Sequence, residues 1–237
     1  MKLIPLKEGW LKQKYAFDQV WENRYQPPTI MESWVENEWA KGRTEYLTFL
    51  IRITDTNIID SIKGIQTEIK NYRCVETFPA NYLHITVKEL DAFLVSKKQL
   101  PDEYSNEELS KLIKDAEEIL NSFKKFDITI ENLNNFKSTV CIQVHDGGVI
   151  SDINGAFLQI PGVRKLRNDY PKFLPHLSIA QYKNFEGYEP LISYLEQNRY
   201  TSVGSLKVDA ISFVVAKLPV KGRYPKLKVI KNFELTN

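Results

Sequence analysis

Asn81-Tyr82-Leu83-His84-Ile85-Thr86-Val87 and Phe173-Leu174-Pro175-His176-Leu177-Ser178-Ile179 are two copies of one short pattern, and they decide the fold. In each, a histidine is followed two places later by a hydroxyl, in a stretch where polar and apolar residues alternate. Alternation with period two describes a half-buried strand, whose side chains point by turns to either face. His84 and Thr86 therefore share one face of their strand, and His176 and Ser178 share one face of theirs. If the two strands lie side by side, two imidazoles that exchange protons near neutral pH meet two hydroxyls that can donate to an anion. That is equipment for phosphoryl chemistry without a metal. A single His-x-Thr on a strand is more often packing than chemistry, but two copies using two of only three histidines favour chemistry.

The flanking sequence supplies elements of both kinds. Residues 45 to 53 place Leu47, Phe49, Ile51 and Ile53 on one face of a strand, and the cap-forming run Thr54 to Asn57 leads into a helix with Ile58, Ile62, Ile65 and Ile69 on its apolar side. After the first histidine strand a long loop reaches Ser105-Asn106-Glu107-Glu108, a capping-box pattern. The helix it opens carries Leu109, Leu112, Ile113, Ala116, Ile119, Leu120 and Phe123 as its stripe. Phe126, Ile128 and Ile130 then alternate, as do Val140, Ile142 and Val144, with Asp146-Gly147-Gly148 as a turn. His145, beside that turn and with no hydroxyl two places on, reads as a solvated strand end. A short helix around Leu191 to Gln197 and strands over Leu206 to Ala216 and Lys226 to Leu235 close the chain. The recurring order of strand, helix and histidine strand implies two similar lobes.

Residues 1 to 43 differ in character. All four tryptophans, Trp10, Trp21, Trp34 and Trp39, fall there among many charges, and Pro27-Pro28 splits the segment into two predicted helices. Such aromatics pack more often than they stack on bases, so the segment is expected to dock against the rest of the chain. The 237 residues, 43% hydrophobic and 26% charged, suffice for a sizeable core. A net charge of +2, from 32 basic and 30 acidic residues, argues against a sequence-independent nucleic-acid binder. Cys74 and Cys141 make neither a disulfide framework nor a metal cluster, and no apolar run has the length of a membrane span or a signal peptide. A soluble, cytoplasmic protein is expected.

The paired His-x-Thr/Ser motifs resemble those of the 2H phosphoesterase superfamily, which includes the so-called 2',5' RNA ligases and cyclic nucleotide phosphodiesterases. From about residue 45 the order of elements is similar, Pro175-His176 looks like the Pro-His that opens the family's second motif, and Tyr224 resembles a tyrosine that approaches the family's site. The departures are Lys88-Glu89-Leu90-Asp91 in place of an aromatic-Leu-Gly, Gln181 where many bacterial members have arginine, and Ser178 for the usual threonine. The resemblance implies an α+β fold of two pseudo-symmetric lobes with antiparallel sheets forming a central cleft over residues 44 to 237, preceded by a Trp-rich helical extension over 1 to 43. It further implies a metal-independent 2',3'-cyclic phosphodiesterase or a related phosphoric diester hydrolase. His84 and His176 would be its acid and base, with Thr86, Ser178 and Tyr224 as substrate contacts. No metal, cofactor or protein partner is implied, and the partner is a nucleotide or an RNA terminus with a cyclic phosphate, met by a monomer. The rival reading is a catalytically silent RNA-binding module using the same groove, with contacts from Arg164, Lys165, Arg167 and Lys172 and from the basic residues between Lys217 and Lys228. A Ser-His-Asp hydrolase lacks its Gly-x-Ser-x-Gly elbow here.

Overall fold

The computed structural model describes residues 6–30, 39–219 and 224–237, with only the backbone of Leu6 and Lys7. Trp34, most of the second predicted N-terminal helix, Lys221 and Arg223 lie outside the described residues. The architecture is α+β, with helices packed on a curled, antiparallel half-barrel sheet.

Helix α1 (Leu6–Glu22) comes first, followed by β1 (Glu45–Arg52), α2 (Thr56–Ile69), β2 (Val75–Thr77), β3 (His84–Leu94), β4 (Glu103–Tyr104) and α3 (Asn106–Leu120). Then come β5 (Phe126–Asn135), β6 (Thr139–His145), α4 (Val149–Phe157), β7 (His176–Tyr182), α5 (Tyr188–Gln197), β8 (Ser202–Val208), β9 (Ala210–Lys217) and β10 (Lys226–Glu234). The two best-marked helices start where the sequence indicates. Asp55 accepts from the Ile58 amide at 3.0 Å to cap α2, and Ser105 and Glu108 form a reciprocal capping box at α3.

The strands run in the order β10-β9-β1-β3-β7-β6-β5-β8, with β2 paired to β7 and β4 to β3, and every pairing is antiparallel except the last. One residue pair, Ile85 with Leu177, joins β3 to β7 in the middle. Each half holds a strand-helix-strand unit, β1-α2-β3 and β6-α4-β7, and each helix crosses over. Helix α2 packs against β2, β7 and β8 of the other half, while α4 packs on β3. The two lobes expected from the sequence therefore share one sheet, and one main core cluster runs through both, from Leu47 and Phe49 to Ile142 and Leu177.

The expected apolar face of β1, with Leu47, Phe49, Ile51 and Ile53, lies in the main core, and the other face is buried as well, where Tyr46 packs with Ala40, Phe93, Ala216 and Leu218 against Trp39. Two expectations need correction. The single strand expected over Leu206 to Ala216 is two. It breaks at Asp209, and β8 pairs with β5 while β9 pairs with β1 at the other end of the sheet. Asp146-Gly147-Gly148 does make the expected turn, but the turn leads into a helix. The Asp146 carboxylate accepts from the amides of Gly148 and Ile150 and so starts α4, which the sequence reading missed. His145 is not solvated; it is 3% exposed, because α1 covers it. Among the described residues no helix is long and apolar enough to cross a membrane.

Candidate active site

The single bridge between β3 and β7 fixes the geometry of the motifs. Ile85 and Leu177 are fully buried on the core face, so their neighbours His84, Thr86, His176 and Ser178 all turn to the opposite face. In an antiparallel register centred on that pair, His84 lies beside Ser178 and Thr86 beside His176. The four groups found separately in the sequence thus form one diagonal set, each half-buried.

A bulge follows each motif at the same offset. Phe49 pairs with Lys88 and Leu50 with Thr86, leaving Val87 over; Val140 pairs with Ala180 and Cys141 with Ser178, leaving Ile179 over. Each extra residue sits three places after its histidine. Bulges bend a strand and end regular pairing, which limits contact between β3 and β7 to the motif itself. The first bulge also turns Lys88 to the core side, where its Nζ donates to Asp169 at 2.6 Å and to the Arg164 carbonyl at 3.0 Å. Lys88, one of the residues that departs from the family pattern, is therefore a buried strut and not a site cation.

Both imidazoles are held alike. His84 Nδ1 lies 2.6 Å from the Tyr82 carbonyl and His176 Nδ1 lies 3.0 Å from the Leu174 carbonyl. A carbonyl only accepts, so each Nδ1 carries a proton and each neutral ring leaves its Nε2 lone pair for the site. Aromatic edges steady the rings: Tyr82 meets His84 at 5.0 Å between centroids, and Phe136 meets His176 at 4.3 Å. Burial pushes the His84 pKa below its usual value and His176 to about 4, opposed in each case by the carbonyl bond, and the charge of His84 lowers His176 further. The two rings are thus within electrostatic reach of each other, and burial favours the neutral form of both.

Ser178 Oγ donates to Thr139 Oγ1 at 3.3 Å, which adds a hydroxyl that the sequence reading missed. Thr139 carries no local motif, and only the register of β6 against β7 brings it there. Tyr224 packs on Tyr82 at 5.9 Å and near Phe78 at 6.3 Å, one ring removed from His84. Gln181 pairs with Thr139 and Glu76 and is almost fully buried. Among the described residues no group of three His, Cys, Asp or Glu side chains could hold a metal ion.

Gln143 is the cross-strand partner of His176, and His145 is two residues further along the same strand, so both share the face of the motifs. Helix α1 lies on that face. Phe17, fully buried, and Trp10 contact the His145 ring at 5.4 and 5.5 Å, and Asn134 donates to the Phe17 carbonyl at 3.1 Å. Arg199 anchors the far end of the helix, donating to Asp18 at 2.7 Å beneath Trp21. His145 Nε2 meets Gln143 Oε1 at 3.1 Å, and burial lowers its pKa to about 4.

Among the described residues, the basic residues of the rival RNA-binding reading fall in two groups, Lys165, Arg167 and Lys172 around one cavity and Lys217, Lys226 and Lys228 on the paired strands β9 and β10. Arg164 is engaged by Asp91 at 2.8 Å, Lys226 and Lys228 lie on β10 at the end of the sheet, and a cavity of about 370 Å³ at Lys165 to Lys172 includes none of the motif residues.

Residues 57–218 match the model of the 2'-5' RNA ligase superfamily, a span that contains both motifs and begins after α1. No curated protein matches. Solved structures of similar fold include E. coli LigT complexed with 3'-AMP (TM-score 0.56, 14% identity, 82% of this chain and 99% of that one). TT0787 of Thermus thermophilus gives a TM-score of 0.55 at 15% identity over 80% of this chain and 97% of that one. A structure described as a phosphoesterase gives 0.54 at 14% identity over 81% and 99%.

Proposed function

The chain belongs to the 2'-5' RNA ligase superfamily, and from that premise we propose that it is a metal-independent phosphodiesterase. Its substrates are 2',3'-cyclic phosphates or related ribose-linked phosphodiesters of nucleotides or RNA ends. The observation that carries the reading is the diagonal set of two imidazoles and two hydroxyls about the Ile85–Leu177 pair, with both Nδ1 atoms held by carbonyls and, among the described residues, no hydrogen-bond partner on either Nε2. E. coli LigT has been crystallised with ATP, NADP+ and 3'-AMP, which supports a nucleotide ligand in a fold of this kind.

One neutral imidazole takes a proton from the attacking water, and the other, protonated, gives one to the departing ribose oxygen. Thr86 and Ser178 donate to the non-bridging oxygens, where charge builds in the transition state. Burial favours the neutral form of both rings, so the acid gains its proton when an anionic phosphodiester arrives and stabilises the imidazolium. Binding is therefore linked to proton uptake. Tyr224, which packs on Tyr82 beside His84, is a further substrate contact in this reading.

A substrate panel tests this: nucleoside 2',3'-cyclic phosphates, 3',5'-cyclic nucleotides, 2',5'-linked oligonucleotides and RNA ending in a cyclic phosphate. Conversion of at least one to a phosphomonoester supports the reading. Salt-dependent RNA binding with no product from any of them would replace it with the binding-module alternative.

A further inference from the structure

Two strands flank the motif strands on the outside, and they put different residues beside the two histidines. On β6, Gln143 stands opposite His176; it is neutral, 2% exposed and tied to His145 under α1. At the equivalent place on β1, Arg52 stands opposite His84, and directly paired residues project from the same face of a sheet. Every position of β1 from Tyr46 to Ile51 is buried, whereas Arg52 is exposed. The strand delivers a cation to the motif face at its last residue.

We propose that Arg52 is a substrate-binding residue, the cation that holds a phosphate oxygen of the ligand on the His84 side of the site. Its lack of a partner supports this. Arg24, Arg43, Arg73, Arg164 and Arg199 each hold a carboxylate, whereas among the described residues no acidic side chain pairs with Arg52 or Arg167, and of these two only Arg52 is a cross-strand partner of a motif histidine. An exposed arginine beside a catalytic set, with its five donors uncommitted, is suited to bind a phosphate through two of them. The motif residues themselves supply no fixed positive charge. Thr86 and Ser178 are neutral, and desolvation disfavours the charged form of both half-buried imidazoles. Lys88, the nearest lysine in the motif strand, is committed to Asp169. A phosphate anion between the imidazoles therefore finds its permanent counter-charge at one place only among these groups. This makes a nearly symmetric site directional, with the charged end of the ligand toward β1 and the second half closed by α1.

The inference rests on the motif face being a phosphate site, as proposed above, but its test does not depend on turnover. Inorganic phosphate is titrated into the full chain at pH 7 and low salt, by calorimetry and by the imidazole resonances of His84 and His176. Wild type, Arg52→Ala and Arg52→Lys are compared. The exposed side chain makes both variants fold, which a thermal melt checks. Loss of one charge-assisted hydrogen bond lowers phosphate affinity about ten- to a hundredfold in Arg52→Ala, with partial retention in Arg52→Lys. The salt dependence of binding weakens in Arg52→Ala and is kept in Arg52→Lys. Phosphate affinity in Arg52→Ala within about twofold of wild type, or no phosphate binding by wild type at the imidazoles, would overturn the proposal. Arg52-dependent phosphate binding by a protein that turns over no diester would leave this assignment standing and remove only the hydrolase reading. Turnover with phosphate inhibition and KM unchanged in Arg52→Ala would do the reverse.

Discussion

At His84 and His176 the same bond, Nδ1 to the carbonyl two residues upstream, does the same work, aiming Nε2 at whatever lies over the motif face. Both rings are half-buried and neither belongs to the core, so His84→Ala and His176→Ala should leave the melting temperature near wild type. Each should cost roughly a hundred- to ten-thousandfold in kcat or more, read by steady-state kinetics. Thr86→Ala and Ser178→Ala should be milder, about 3 to 4 kcal/mol at most if each acts as a single oxyanion donor. The pH profile follows from the direction of the pKa shifts. Catalysis needs one imidazolium, and burial holds both rings below the ordinary value of 6.5, so kcat/KM for the free enzyme should rise as the pH falls below that value. The far limb then comes from protonation of the base, and both limbs belong to the pair. These residues were legible because a histidine and a hydroxyl two apart on a strand must share a face. Thr139 and Arg52 were not, because each acquires meaning only from the strand paired beside it.

Helices whose start is written into a few adjacent residues, such as α2 after Asp55 and α3 after Ser105, could be read from the chain. Helix α4 could not, because Asp146-Gly147-Gly148 serves a turn and a helix start equally well until Asp146 is seen to cap Ile150. The break between β8 and β9 was hidden for a similar reason: alternation continues through Asp209 although the two strands have different partners. Helix α1 docks against the rest of the chain as expected, and its position over β6 explains why His145 is buried. Phe17→Ala should cost about 3 to 5 kcal/mol in a denaturant melt, the range for removing a buried aromatic. His145 adds a pH dependence with a definite sign. Its folded pKa is depressed, so above 6.5 neither folded nor unfolded chain binds a proton and there is no penalty. As the pH falls from 6.5 towards about 4 the unfolded chain takes up the proton first, and stability drops. His145→Gln should flatten part of the acid loss seen when the urea midpoint is followed from neutral pH down to the folded pKa of about 4. An equal loss in the variant would assign it to other groups.

The molecule as a whole joins two strand-helix-strand units through one residue pair and by exchanging their helices, each of α2 and α4 packing on the other unit's half. The repeat of elements was visible in the sequence, but the exchange was not, since nothing local tells a helix which half of a sheet it will cover. With the motifs at that junction, activity should require the halves together and no added ion. Turnover is expected to continue unchanged in excess EDTA. Loss restored by Mg²⁺ or Mn²⁺ would contradict the proton-transfer chemistry assigned to the imidazoles. The most direct measurement combines these points: a nucleoside 2',3'-cyclic phosphate incubated in EDTA with wild type, His84→Ala and His176→Ala, followed by ³¹P NMR. The cyclic phosphate signal is expected to be replaced by one phosphomonoester with wild type and to persist with either variant. The same rate of conversion in all three would contradict it.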